Sequence, residues 1–148
     1  MCVGHVFAGR FFRSVSGVSV VTVQVDFEAL TELSQITIAI NSQASSQLPL
    51  GIAVEYAFRL SGWQAVVYLA QNCSAFNASV VSVPQGVTCV SFGTLRTISA
   101  SLPSVTPSST FTLADRLRLR LFTTPTSLPV EVCIALLVCA RVLVCIDV

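Results

Sequence analysis

Lysine is absent from this 148-residue chain, and only 10% of its residues are charged. Eight arginines face seven acids, for a net charge of +1. That balance excludes a basic nucleic-acid-binding tail, and the first fifteen residues carry only His5, Arg10 and Arg13 as basic groups. Histidine occurs once, so the common zinc sites cannot be built, and no C-x-x-C pair is present. A glycine-rich phosphate loop is also missing. The N-terminus, broken by Gly4, His5, Gly9, Arg10 and Arg13, lacks the continuous apolar stretch of a secretory signal. The sequons Asn72-Cys73-Ser74 and Asn77-Ala78-Ser79 are therefore given no weight.

What the chain has instead is apolar surface. Hydrophobic residues make up 53% of it and mean hydropathy is +0.80. The length suits one domain with a substantial core. So little charge would leave much apolar surface in water, which marks a subunit that buries surface against partners. The six cysteines, at positions 2, 73, 89, 133, 139 and 145, are read as small hydrophobes in a reducing compartment.

The clearest patterning is in the last third. Arg116, Arg118 and Arg120 alternate with Leu117, Leu119 and Leu121, which places three arginines on one face of a strand and three leucines on the other. After a Thr/Pro-rich break, Val130–Val148 has aliphatic residues at every even position, with Glu131, Arg141 and Asp147 among the odd ones. A strand fits this period better than a membrane helix, because Glu131 and Arg141 sit inside the run and β-branched residues dominate it. In one long strand, Cys133, Cys139 and Cys145 would lie roughly 20 Å apart in series, too far to bridge.

Upstream, Met1–Ser16 reads as an irregular N-terminal arm and 17–148 as a single domain. Gly17–Phe27 is a strand with a bulge expected near Val20-Val21, where the valine phase slips. Asp26–Leu33 (DFEALTEL) has helical spacing, with Asp26 placed to cap one or two turns. Strands follow at 36–40 and 52–58, separated by a polar loop, Asn41–Pro49. Short candidate strands lie at 64–70, 78–83, 87–92 and 95–102, and Ser101–Ser109 is a loop. Such spacing predicts an antiparallel sandwich or barrel.

Enzymatic chemistry finds no foothold. Acyl transfer needs a base, and His5 lies in the arm. The carboxylates Asp26, Glu28, Glu32, Glu55, Asp115, Glu131 and Asp147 sit on outward faces or beside the helical turn, in no recognisable pair. No catalytic residue, metal or cofactor is expected. The sharpest polar feature is the row Arg116, Arg118 and Arg120, suited to phosphates or to acids across a subunit contact. Arg10 and Arg13 join it as candidate RNA or subunit contacts. The plainer alternative is a solvated face that discourages edge aggregation.

From Ala29 to Phe58 the run ALTELSQITIAINSQASSQLPLGIAVEYAF resembles the coat proteins of tymoviruses and their relatives. RLRLRLFTTPTSLP from Arg116, followed by EVCIALLV from Glu131, resembles that family's penultimate strand, Thr/Pro loop and final strand. The resemblance implies an all-β, eight-stranded antiparallel jelly-roll β-sandwich with one short helical turn. It also implies a subunit that assembles with copies of itself into a small icosahedral shell around single-stranded RNA, without sequence-specific readout and without a membrane. In that family the coat lacks a basic arm and polyamines help neutralise the genome, in keeping with the near-neutral charge here. The missing lysine suits the family's cytidine-rich genomes. The implied location is the virion, with assembly in the host cytoplasm. The alternatives carried from the residues are a non-viral β-sandwich binding module and a small membrane protein anchored by Val130–Val148.

Overall fold

The computed structural model describes residues 5–13, 19–33, 35–41, 48–95, 97–102, 112–123, 131–137 and 141–147. The chain is mostly β-structure, as its alternating apolar pattern requires. The described residues form β1 (His5–Arg13), β2 (Ser19–Leu33), β3 (Gln35–Asn41), β4 (Gly51–Ala57), β5 (Gln64–Ala70), α1 (Cys73–Ser79), β6 (Thr88–Ser91), β7 (Thr97–Ser101), β8 (Thr112–Thr123), β9 (Glu131–Leu137) and β10 (Arg141–Asp147). One sheet runs β1-β2-β8-β4-β5-β6 and the other β10-β9-β3-β7. All pairings are antiparallel except β5 with β6, which is parallel.

Period-two alternation supplies a single core shared by both sheets. Val21, Val23 and Val25 of β2, Ile52 and Val54 of β4, and Leu117, Leu119 and Leu121 of β8 meet Ile36 and Ile38 of β3 and Ile98 and Ala100 of β7 in one buried cluster. Each such side chain contributes ~1.5–3 kcal/mol on leaving water. The two sheets are held together mainly by this layer.

The other face of the larger sheet carries a second apolar cluster. Ala53, Tyr68, Ala70 and Phe122 lie beneath Phe76 of α1. The helix starts at Asn72, whose side-chain oxygen accepts a hydrogen bond from the Ala75 N–H at 3.1 Å, a standard N-cap. Ser79 Oγ donates to the Ala75 carbonyl at 2.6 Å. Glycine at position 51 is required by this packing: a Cβ there would come within 2.5 Å of the Phe76 ring.

Several sequence expectations change. Met1–Ser16 is not irregular throughout, since His5–Arg13 pairs with β2 as an edge strand. Asp26–Leu33 is not a helical turn. It continues β2 against β8, and a register shift between Asp26 and Thr31 absorbs the slip in phase. Tertiary pairing and the burial of Phe27 and Leu33 override local helical spacing. No bulge occurs at Val20-Val21, because both residues pair in step with Phe122 and Leu121. Val20 is out of phase because it serves the second apolar cluster on the opposite face. The helix lies instead at Cys73–Ser79, so the candidate strand at 78–83 is lost.

The terminal run is a hairpin rather than one strand, β9 pairing with β10. A 19-residue strand would span roughly 60 Å, far beyond the width of such a sheet. Folding back sets Cys133 opposite Cys145 in register, which replaces the wide spacing expected of a continuous strand. The arm strand and this division raise the count among the described residues to ten strands, where eight were expected. Most of the Asn41–Pro49 and Ser101–Ser109 loops lies outside the described residues. Among the described residues no helix is long and apolar enough to cross a membrane.

Candidate functional site

The arginine row lies on the outer face of the six-stranded sheet. On β8 the leucines turn into the core and Arg116, Arg118 and Arg120 turn out, as the alternation requires. Their partners across β4 are Ala57, Glu55 and Ala53 in turn. Across β2 the same three are paired with Asp26, Gln24 and Thr22. The two alanines leave space for long guanidinium side chains to converge on the one acid between them.

They do converge. Arg118 Nε donates to Glu55 Oε2 at 2.6 Å; Arg120 donates to the same oxygen from Nε at 3.1 Å and to Oε1 from Nη2 at 2.8 Å. The Glu55 side chain is only 8% exposed, whereas Arg118 and Arg120 retain 24% and 30%. One carboxylate thus holds two guanidiniums, leaving a net positive charge at the surface. Trp63 supplies an aromatic wall, with the Arg118 guanidinium 4.4 Å and that of Arg116 5.4 Å from its ring centroid. Arg120 lies 5.6 Å over the Phe122 ring.

Arg116 is engaged differently. Its Nη2 donates to the Arg59 carbonyl at 2.6 Å, and its Nε meets Asp115 Oδ1 at 3.4 Å. Asp115 in turn accepts the Arg59 backbone N–H at Oδ2, 2.7 Å away. Arg116 therefore fastens the β4–β5 turn to β8, and Arg118 and Arg120 form the charged centre.

Tyr68 borders that centre on β5. Burial raises its phenol pKa above the ordinary 10.0, and Glu55 adds to the rise, while Arg120 opposes it through its charge and a hydrogen bond. The folded state thus favours the neutral phenol. Its contribution is fully present below pH 10 and is lost as pH climbs through the raised value.

The sequence-predicted residues fall into two groups. Arg116, Arg118 and Arg120 are brought together as one row. Arg10 and Arg13 lie on the edge strand β1, in register with Thr22 and Ser19. Arg10, Thr22 and Arg120 consequently occupy one cross-strand row, with β2 between the two arginines. Glu55, Trp63, Tyr68 and Asp115 complete the arrangement and were not singled out as site residues. Glu55 had a readable signal: a lone acid flanked by alanines at positions 53 and 57, the only charge on its face of β4. Its burial follows from the two arginines folded over it.

Glu55→Ala is expected to cost ~2 kcal/mol, since removing one partner of a buried pair strands the other charge, and partial exposure of both arginines softens the loss. Urea unfolding at neutral pH checks this, and a shift within error of zero would show that solvent already neutralises the row.

Chemically the site can hold an anion or present guanidiniums to a carboxylate-bearing surface. Among the described residues no group of three or more histidines, cysteines and acids could bind a metal ion. A disulfide joins Cys73 and Cys89, tying the first residue of α1 to β6. That corrects the expectation that all six cysteines are reduced. α1 and β6 fold back on the same end of β5, and their cysteines meet there although sixteen positions separate them. The sequence matches no protein-family model, and no curated protein matches it either.

Proposed function

We propose that this chain is a viral coat protein that assembles with copies of itself into a small icosahedral shell around single-stranded RNA. The observation that carries this reading is the wrapped strand order. β8 lies between β2 and β4 in one sheet, while β3, which joins them in sequence, crosses to the other. Such interleaving is how a jelly roll closes two sheets on one core. The eight jelly-roll strands are then β2 to β8 and the terminal run, with β1 and the β9–β10 division as elaborations. The resemblance of the arginine strand and terminal run to tymovirus-like coats supports the same reading.

In this reading RNA is held weakly and without base readout. A net charge of +1 per chain cannot neutralise a genome, so small polycations do most of that work. Arg118 and Arg120, with Arg10 in the cross-strand row of Arg120, meet RNA phosphates or acids of a neighbouring subunit, and Arg13 pairs with Ser19 in a row of the other phase. No catalytic step and no membrane are involved. Assembly takes place in the host cytoplasm and the product is the virion.

Purified protein examined by sedimentation velocity and negative-stain microscopy should give shells or ring-like oligomers. A stable monomer at all concentrations would overturn the proposal. One observation favours a second reading, a β-sandwich interaction module in an oxidising compartment: the Cys73–Cys89 disulfide. A monomer whose melting temperature rises with a ligand would select that alternative.

A further inference from the structure

The terminal hairpin sets two cysteines directly opposite each other. Cys133 of β9 and Cys145 of β10 are register partners in an antiparallel pair. Opposed residues in such a pair have Cα atoms roughly 4.5 or 5.5 Å apart, according to whether they exchange backbone hydrogen bonds. Both spacings fall inside the window of roughly 4.4–6.8 Å that a disulfide spans. The backbone therefore holds the two positions within bonding range, and neither strand has to move.

Register also fixes the face. Ile36 and Ile38, buried in the core, pair with Leu136 and Ile134, so the even positions of β9 belong to the core side and the odd ones to the other. Cys145, Cys133, Ala39 and Thr97 form one cross-strand row over β10, β9, β3 and β7. At the β7 end of that face Thr97 and Ser99 are exposed, so the row lies on the outer side of the sheet.

The position suits a fastening. β10 stands at the edge of the sheet, with β9 as its neighbour. Strand ends open first, and the open end of this hairpin carries a like-charge pair, Glu131 opposite Asp147, which weakens it further. The two cysteines lie two residues inside that pair, on the same face.

We infer that Cys133 and Cys145 are a second redox pair, a dithiol when reduced and a cross-strand disulfide when oxidised, which staples the edge strand β10 to β9. With glutathione disulfide as the oxidant, one cysteine thiolate attacks an S–S sulfur, giving a mixed disulfide and releasing one glutathione thiolate. The partner thiolate then attacks the protein-side sulfur and releases the second. The two cysteines give up two electrons as their S–S bond forms, and the two glutathiones released carry those electrons and the two protons. The inference is independent of the shell reading.

Digestion of the full chain tests it. Cleavage after arginine keeps Cys73 and Cys89 together in peptide 60–96, but separates Cys133, in 121–141, from Cys145, in 142–148. Native protein equilibrated with glutathione disulfide, then alkylated and digested without reduction, should yield 121–141 joined to 142–148. Fragmentation should place the bond at Cys133 rather than Cys139, and the intact mass should remain that of a single chain. Hydrogen exchange over 142–146 should slow about ten-fold relative to reduced protein, with no such change in Cys145→Ser. Separately alkylated Cys133 and Cys145 would overturn the inference, as would a bond at Cys139 or between two chains. Linked peptides with unchanged exchange would overturn the staple.

Discussion

Replacing Phe76 with alanine is expected to lower stability by ~3–4 kcal/mol, near the upper range for a single apolar truncation. Phe76 is 2% exposed and sits at the centre of the second apolar cluster. Its ring meets Phe122 edge-on at 5.4 Å and Tyr68 tilted at 6.2 Å, contacts that add to simple burial. It is the buried side chain of a seven-residue helix, and a helix that short has no stability of its own in water. The loss should therefore appear as release of α1 as well as a lower urea midpoint. Hydrogen exchange at Phe76 and Val80, whose N–H groups bond within the helix, would show it.

Glycine at position 51 sharpens this test. Because a Cβ there would lie 2.5–2.8 Å from three Phe76 ring carbons, Gly51→Val alone should cost ~1–3 kcal/mol through overpacking. In the Phe76→Ala background the same valine enters the vacated space. The double variant should thus lose less than the sum of the singles, with a coupling of at least ~1 kcal/mol. Additive losses would mean that the ring does not rest on Gly51.

The parts of the fold that were legible in the sequence are those where one physical rule decides. Strict alternation placed the leucines of β8 in the core and its arginines outside, and the same rule located β3, β4 and β5 to within a residue or two. Two rules competed at Asp26–Leu33, where helical spacing was real but pairing with β8 was stronger. Val20 looked like a phase error only because an apolar cluster on both sides of one sheet is not visible from a single strand. The helix escaped notice because its signal is one N-cap asparagine and one buried phenylalanine, too little periodicity to register. In the candidate site the arginine row was plain, but its central acid was not. Knowing that Glu55 faces Arg118 requires knowing that β4 and β8, more than sixty residues apart, are neighbours.

The disulfide gives the other large expected effect. Closing a loop of about this length removes conformational freedom from the unfolded chain worth ~3 kcal/mol. Cys73 and Cys89 are sixteen positions apart and their Cα atoms are 6.0 Å apart, so the bond joins positions that the packing of α1 and β6 already holds close. Reduction, or Cys73→Ser, should lower the melting temperature by ~10 °C in a domain of this size. Intact mass under non-reducing conditions would report the bond directly, and adding Cys73→Ser to the Cys145→Ser protein should abolish its response to reductant. A wild type equally indifferent to reductant would mean that the bond does not form in solution. The consequence reaches function, because host cytoplasm keeps thiols reduced while a released particle meets oxidising conditions. On the shell reading, α1 would be loosely held during assembly and fastened to β6 afterwards. Particles assembled under reducing conditions and then oxidised should accordingly resist dissociation in urea better than particles kept reduced, and adding Cys73→Ser to the Cys145→Ser particle should abolish its gain.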